Sequence, residues 1–93
     1  MAKVYVTEYA DIRGNAPYEP AIALQTVAIA ATNTQSSAFN ANSNWVRVHT
    51  DAICSIAFGL SPVATANSTR LAANQTEYFY VIPGHKIGVI TNT

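Results

Sequence analysis

Apolar and polar positions along this chain follow the pattern of short strands separated by turns. Lys3 to Tyr9, KVYVTEY, is β-branched and aromatic, which suits a strand. Trp45 to Thr50, WVRVHT, alternates strictly. Val46, Val48 and Thr50 fall on one side, and Trp45, Arg47, His49 and then Asp51 on the other. Ala52 to Gly59, AICSIAFG, is an apolar run closed by glycine. Ala21 to Ala31, AIALQTVAIAA, fits two templates. Pro20 can open a helix with Leu24, Val27, Ala28 and Ala31 on one face. Ile22, Leu24, Thr26, Val27 and Ile29 equally fill a strand, and periodicity alone does not decide a run this short. The strand is the preferred reading. Ala10 to Pro20 holds Gly14, Pro17 and Pro20 and predicts a loop. Thr32 to Asn44 is polar around a lone Phe39 and predicts a short strand between loops. Leu60 to Gln75 is turn-rich, with a short strand expected near Val63 to Ala66.

Glu77 to Ile90, EYFYVIPGHKIGVI, reads as two strands around Pro83-Gly84. With that dipeptide at a hairpin tip, Ile82 faces His85, Tyr80 faces Ile87, Tyr78 faces Val89, and the ring of Phe79 lies over Gly88. One face then carries Tyr78, Tyr80, Ile82, Ile87 and Val89, and the other Phe79, Val81 and Ile90 with Glu77 and Lys86. Both faces are apolar enough to need cover. Two sources are open: the rest of one sandwich, as for central strands, or another protein chain. The whole pattern predicts about six to eight strands and no clear helix, hence an all-β fold, a small antiparallel β-sandwich or jelly-roll-like barrel.

Size and charge narrow the class. Ninety-three residues make a single β-domain, residues 1–93. Lys+Arg and Asp+Glu number 5 each, so the formal charge is zero, and charged residues are 11% of the chain. About 25% is typical of globular domains. Hydrophobic residues make up 49%, enough for a core. A neutral surface built from Asn, Thr, Ser and Gln keeps a domain in solution poorly, unless part of it is buried against something else. Five scattered basic residues make no phosphate-binding patch, so no nucleic-acid partner is expected. No run approaches the ~20 apolar residues of a membrane span, and no membrane partner is expected. The start, MAKVYVTEYA, lacks a signal-peptide pattern, and the Asn-x-Ser/Thr triplets at Asn67 and Asn74 are read as chance.

Candidate chemistry changes this picture little. His49 and Asp51 share one face of a strand, and Cys54 or Ser55 could complete a triad on paper. Both lie in an apolar run without a nucleophile elbow, so no catalytic residue is expected and the protein is read as non-enzymatic. The lone Cys54 can form no intrachain disulfide and reads as a buried small hydrophobe. Two histidines and one cysteine show no metal-ligand spacing, and Gly14, Gly59, Gly84 and Gly88 form no phosphate loop. Glu8, Asp11 and Glu19 read as a solvated acidic loop. No metal or cofactor is expected. Trp45, Arg47 and His49 form a row, in which Trp and Arg are the types most enriched at interface centres. With Tyr78, Tyr80, Ile82 and Ile87 of the final hairpin they make up the candidate protein interface.

Two segments, TQSSAFNANSNWVRVHTDAICSIAFG and TRLAANQTEYFYVIPGHKIGVI, resemble small β-rich proteins encoded among the structural genes of tailed bacteriophages. The likeness rests on Gln35 to Phe39, Val46 to Ala52, Ala57 to Gly59 and Arg70 to Glu77, and covers roughly the last two thirds of the chain. The resemblance implies a virion component made in the bacterial host, with the major capsid protein or other virion proteins as partners. Within a virion, a chain of this size and neutrality suits a capsid decoration or cement protein. Shell symmetry makes a homo-oligomer, trimer or dimer, the natural assembly. The alternative is a small tail or head-fibre component acting as a carbohydrate- or receptor-binding module, with Trp45 stacking on sugar rings.

Overall fold

Strict alternation builds the first sheet. β1 (Lys3–Tyr9) turns Val4 and Val6 inward, and β6 (Trp45–Thr50) turns Val46, Val48 and Thr50 inward. β4 (Ala23–Ala28) is a strand, so the strand reading of Ala21 to Ala31 holds. Its Val27 joins the same layer. With β9 (Thr76–Tyr80) these strands form sheet I, in the order β4-β1-β6-β9. Sheet II has the order β5-β10-β7-β8, from β5 (Thr34–Gln35), β7 (Cys54–Gly59), β8 (Thr69–Leu71) and β10 (Lys86–Thr91). All pairings are antiparallel. A small ribbon of β2 (Ile12–Arg13) and β3 (Ala16–Pro17) lies within the link from β1 to β4. The computed structural model describes residues 2–14 and 16–92, with the backbone alone at Arg13.

The two sheets face each other as a sandwich. Val4, Val6, Val27, Val46 and Val48 from sheet I meet Cys54, Ile56, Leu71, Ile87 and Val89 from sheet II, and Phe39 enters from the connection before β6. At ~25 cal/mol per Å², each buried aliphatic side chain contributes on the order of 2 kcal/mol, which this low-charge chain supplies in number. Cys54 is fully buried, as its apolar run predicts.

The final hairpin is corrected. β9 pairs with β6 in sheet I and β10 pairs with β7 and β5 in sheet II, so the chain changes sheets at Pro83-Gly84. Gly84 has φ +86°, and the corner is held by Gly84 N to Phe39 O (3.1 Å), Phe39 N to His85 O (2.8 Å) and His85 N to Ile82 O (3.1 Å). Pro-Gly turns twist the wrong way for a tight hairpin. Crossing also sorts the side chains better: Phe79 and Val81 enter the core from one sheet and Ile87 and Val89 from the other, leaving Tyr78 and Tyr80 outside. Ile87 is therefore a core residue, 0% exposed, and leaves the candidate interface.

Further corrections concern smaller features. No strand forms at Val63 to Ala66; the short strand there is β8, a few residues later. Instead residues 61–64 strap the outer face of sheet II. The side-chain amides of Asn33 and Gln35 donate to Pro62 O (3.1 and 3.0 Å), and Ala64 N donates to Asn33 Oδ1 (2.8 Å). Gly88 lies beneath this strap rather than beneath Phe79, where a Cβ would come within 2.8 Å of Pro62 O. Glu8 is no member of a solvated loop: it shares the inward parity of Val4 and Val6 and is buried. Its carboxylate accepts from Asn40 N and Ser43 Oγ, both at 2.8 Å, and so pins the connection that carries Phe39.

Candidate functional site

The outward positions of sheet I follow from its register. Trp45 stands between Tyr9 and Tyr80, Arg47 between Thr7 and Tyr78, and His49 between Tyr5 and Thr76. Leu24 extends the Arg47 row beyond Thr7, and Thr26 extends the His49 row beyond Tyr5. Since Val46 and Val48 point inward, all these side chains project from the opposite side. The sheet thus brings Trp45, Arg47 and His49 together with Tyr78 and Tyr80, as one face rather than two. Ile82 stands apart, exposed at the inter-sheet corner.

Rings dominate this face. Trp45 and Tyr80 stack, with centroids 5.2 Å apart and planes 22° from parallel. Tyr5 and His49 lie 6.3 Å apart, tilted. Leu24 is 75% exposed, Tyr80 73%, Tyr78 44% and Tyr5 40%, an apolar surface well beyond scattered single residues. The β2–β3 ribbon rises along one end. Ile12, Gly14 and Pro17 face Trp45 and Tyr78 across a pocket of about 260 Å³. Tyr9 is buried, and its hydroxyl donates to Glu19 Oε2 at 3.3 Å. Burial pushes its phenol above the ordinary value, and the Glu19 carboxylate adds to the rise. A second hollow, about 280 Å³, opens between the sheets beside β9, lined by Phe39, Phe58, Phe79, Tyr80, Ile82 and His85 among others.

The paper triad does not assemble. His49 Nδ1 is bonded to Thr76 Oγ1 at 2.7 Å, and Asp51 accepts from Lys3 N at 3.2 Å. Cys54 and Ser55 belong to sheet II, across the core from the outer face that carries His49. The Cys54 thiol is raised by burial, against a lowering hydrogen bond to Thr50 Oγ1, so it resists becoming a nucleophile. Among the described residues, no three His, Cys, Asp or Glu gather as metal ligands. The face offers stacking area, the Arg47 guanidinium and hydroxyls, which is recognition chemistry.

Sequence reasoning missed Tyr5, Tyr9 and Leu24 as members of the face. The alternation of KVYVTEY already put both tyrosines opposite Val4 and Val6. Leu24 was hidden by the helix–strand ambiguity of its segment. Compared with protein-family models, curated proteins and solved structures, the chain matches none.

Proposed function

We propose that this protein is a non-enzymatic structural component of a bacteriophage virion, a capsid decoration or cement protein that docks through the outer face of sheet I. One observation carries the docking role: the two outer faces differ. The strap crosses sheet II and exposes Val63 singly, next to the exposed Leu60, while sheet I gathers Tyr5, Leu24, Tyr78 and Tyr80 in water on one continuous face around Arg47. Unmatched apolar area of this kind marks a contact surface. The phage setting comes from the sequence resemblance.

The test uses purified particles of the phage that encodes the chain. The protein should appear in them at a fixed stoichiometry, and its removal should lower the temperature at which the shell opens. Arg47→Ala, folded by circular dichroism, should bind stripped particles about tenfold more weakly or worse. Absence from purified particles, or unchanged binding of the folded variant, refutes the proposal. The second reading, a glycan-binding module, is favoured by one feature, the pocket beside the Trp45–Tyr80 stack. Glycan binding by the free protein that is lost in Trp45→Ala would establish that reading instead.

A further inference from the structure

One border of the sandwich is unprotected. The ladder between β6 and β9 is bracketed by two hydrogen bonds, Thr50 N to Gln75 O (3.1 Å) and Val81 N to Asn44 O (2.8 Å). In an antiparallel pair, only every second residue directs its N–H and C=O at the neighbouring strand. Gln75, Glu77, Phe79 and Val81 therefore direct theirs at β6, and Thr76, Tyr78 and Tyr80 direct theirs away from it. Sheet I ends at β9, and among the described residues no other strand pairs there. The opposite border is guarded. Thr34 Oγ1 donates to Ala28 O on β4, and the Gln25 amide holds both Ser37 N (2.9 Å) and Ser37 O (3.3 Å) alongside it. The edge strands of sheet II have only 2 and 3 residues, against 5 in β9. Natural edges are blunted by lysine, proline, bulges or inward-pointing charges. β9, with the sequence TEYFY, has no lysine or proline and is rich in strand-forming residues; its one charge, Glu77, stands opposite Val48 but is exposed to water rather than turned into the core.

We propose that two copies of this chain join through β9, antiparallel about a two-fold axis at Tyr78. Pairing Tyr78 with its counterpart sets Thr76 opposite Tyr80 and Glu77 opposite Phe79. The residues with outward backbone groups are then the ones this register makes hydrogen-bonded pairs, so every N–H and C=O of Thr76, Tyr78 and Tyr80 gains a partner. No glutamate lies directly opposite another, which a like-charge clash would penalise. This self-complementarity is the reason for naming a second copy rather than another strand. The two sheets fuse into one of eight strands, with their aromatic faces on the same side and continuous across the join. The inference stands whether or not the protein belongs to a virion.

Two measurements test it. Sedimentation from micromolar to near-millimolar concentration should show a monomer–dimer equilibrium, and amide exchange at Thr76, Tyr78 and Tyr80 should slow as the dimer forms. Two variants separate the strand edge from the tyrosine ring. Tyr78→Ala and Tyr78→Pro both remove the ring. Only the proline removes the outward N–H, and that group bonds nothing in β6, so no ladder bond of the monomer is lost. Tyr78→Pro should dimerise on the order of 30-fold more weakly than Tyr78→Ala. The proposal is overturned by a monomer across the whole range, by fast exchange at those amides in the dimer, or by equal dimerisation of two folded variants. The exchange measurement uses the wild-type chain and decides the matter even where the proline variant fails to fold.

Discussion

Glu8 shows how one buried carboxylate can organise a connection. It accepts from a backbone N–H and a hydroxyl of the segment that leads into β6, and Gln25 Nε2 approaches it at 3.4 Å. Removing it strands Asn40 N and the fully buried Ser43 without their acceptor. Glu8→Ala should lower stability by about 2 kcal/mol in a denaturant titration, and Glu8→Gln, which keeps one acceptor, by less. Cys54 and Tyr9 make a second prediction, on pH. Burial raises both groups, so the folded chain keeps their protons to higher pH than the unfolded chain does. The stability this contributes is complete below the ordinary thiol range and is lost as pH rises through it, from about pH 8.5 upward. The unfolding midpoint should fall above that pH, and less steeply in Cys54→Ala. A thiol reagent at neutral pH should label native Cys54 slowly and the unfolded chain fast. Rapid native labelling would contradict the burial.

Strands were legible wherever one face is buried and the other is wet. KVYVTEY and WVRVHT became β1 and β6 with the bounds that alternation gives them, although the inward place of Glu8 is one its charge does not announce. The final segment was legible as strands but not as a partnership. Tyr78 to Tyr80 and Ile87 to Val89 look alike in hydropathy, and local pattern cannot say that their apolar positions enter the core from opposite sheets. The strap was illegible for a related reason: its anchors, Asn33 and Gln35, read as loop polarity until the fold brings Pro62 to them. Gly88 reports on that contact. A Cβ there would stand 2.8 Å from Pro62 O and 2.9 Å from Asn33 Oδ1, and Pro62 O is backbone that cannot swing aside. Gly88→Ala should therefore cost about 1–3 kcal/mol, read as a lowered unfolding midpoint, and should speed exchange of the Ala64 amide.

For the molecule as a whole, the recognition surface was half legible: Trp45, Arg47, Tyr78 and Tyr80 could be named singly, but only the register of sheet I makes them one surface. The connectivity carries a different lesson. The links β4–β5, β5–β6, β6–β7, β8–β9 and β9–β10 all change sheets. β10 follows every other strand in the chain, yet it lies inside sheet II between β5 and β7. A growing polypeptide can close β1, β4 and β6 early, but it holds β5 and β7 apart, with Cys54 and Ile56 unburied, until residues 86–91 have left the ribosome. Folding is thus held back to the end of this stretch of synthesis and is slow for its length, as non-local pairing demands. A chain stopped at Gly84 should lack the closed sandwich core and stay protease-sensitive, and until β10 arrives nascent copies expose Cys54 and Ile56 to one another.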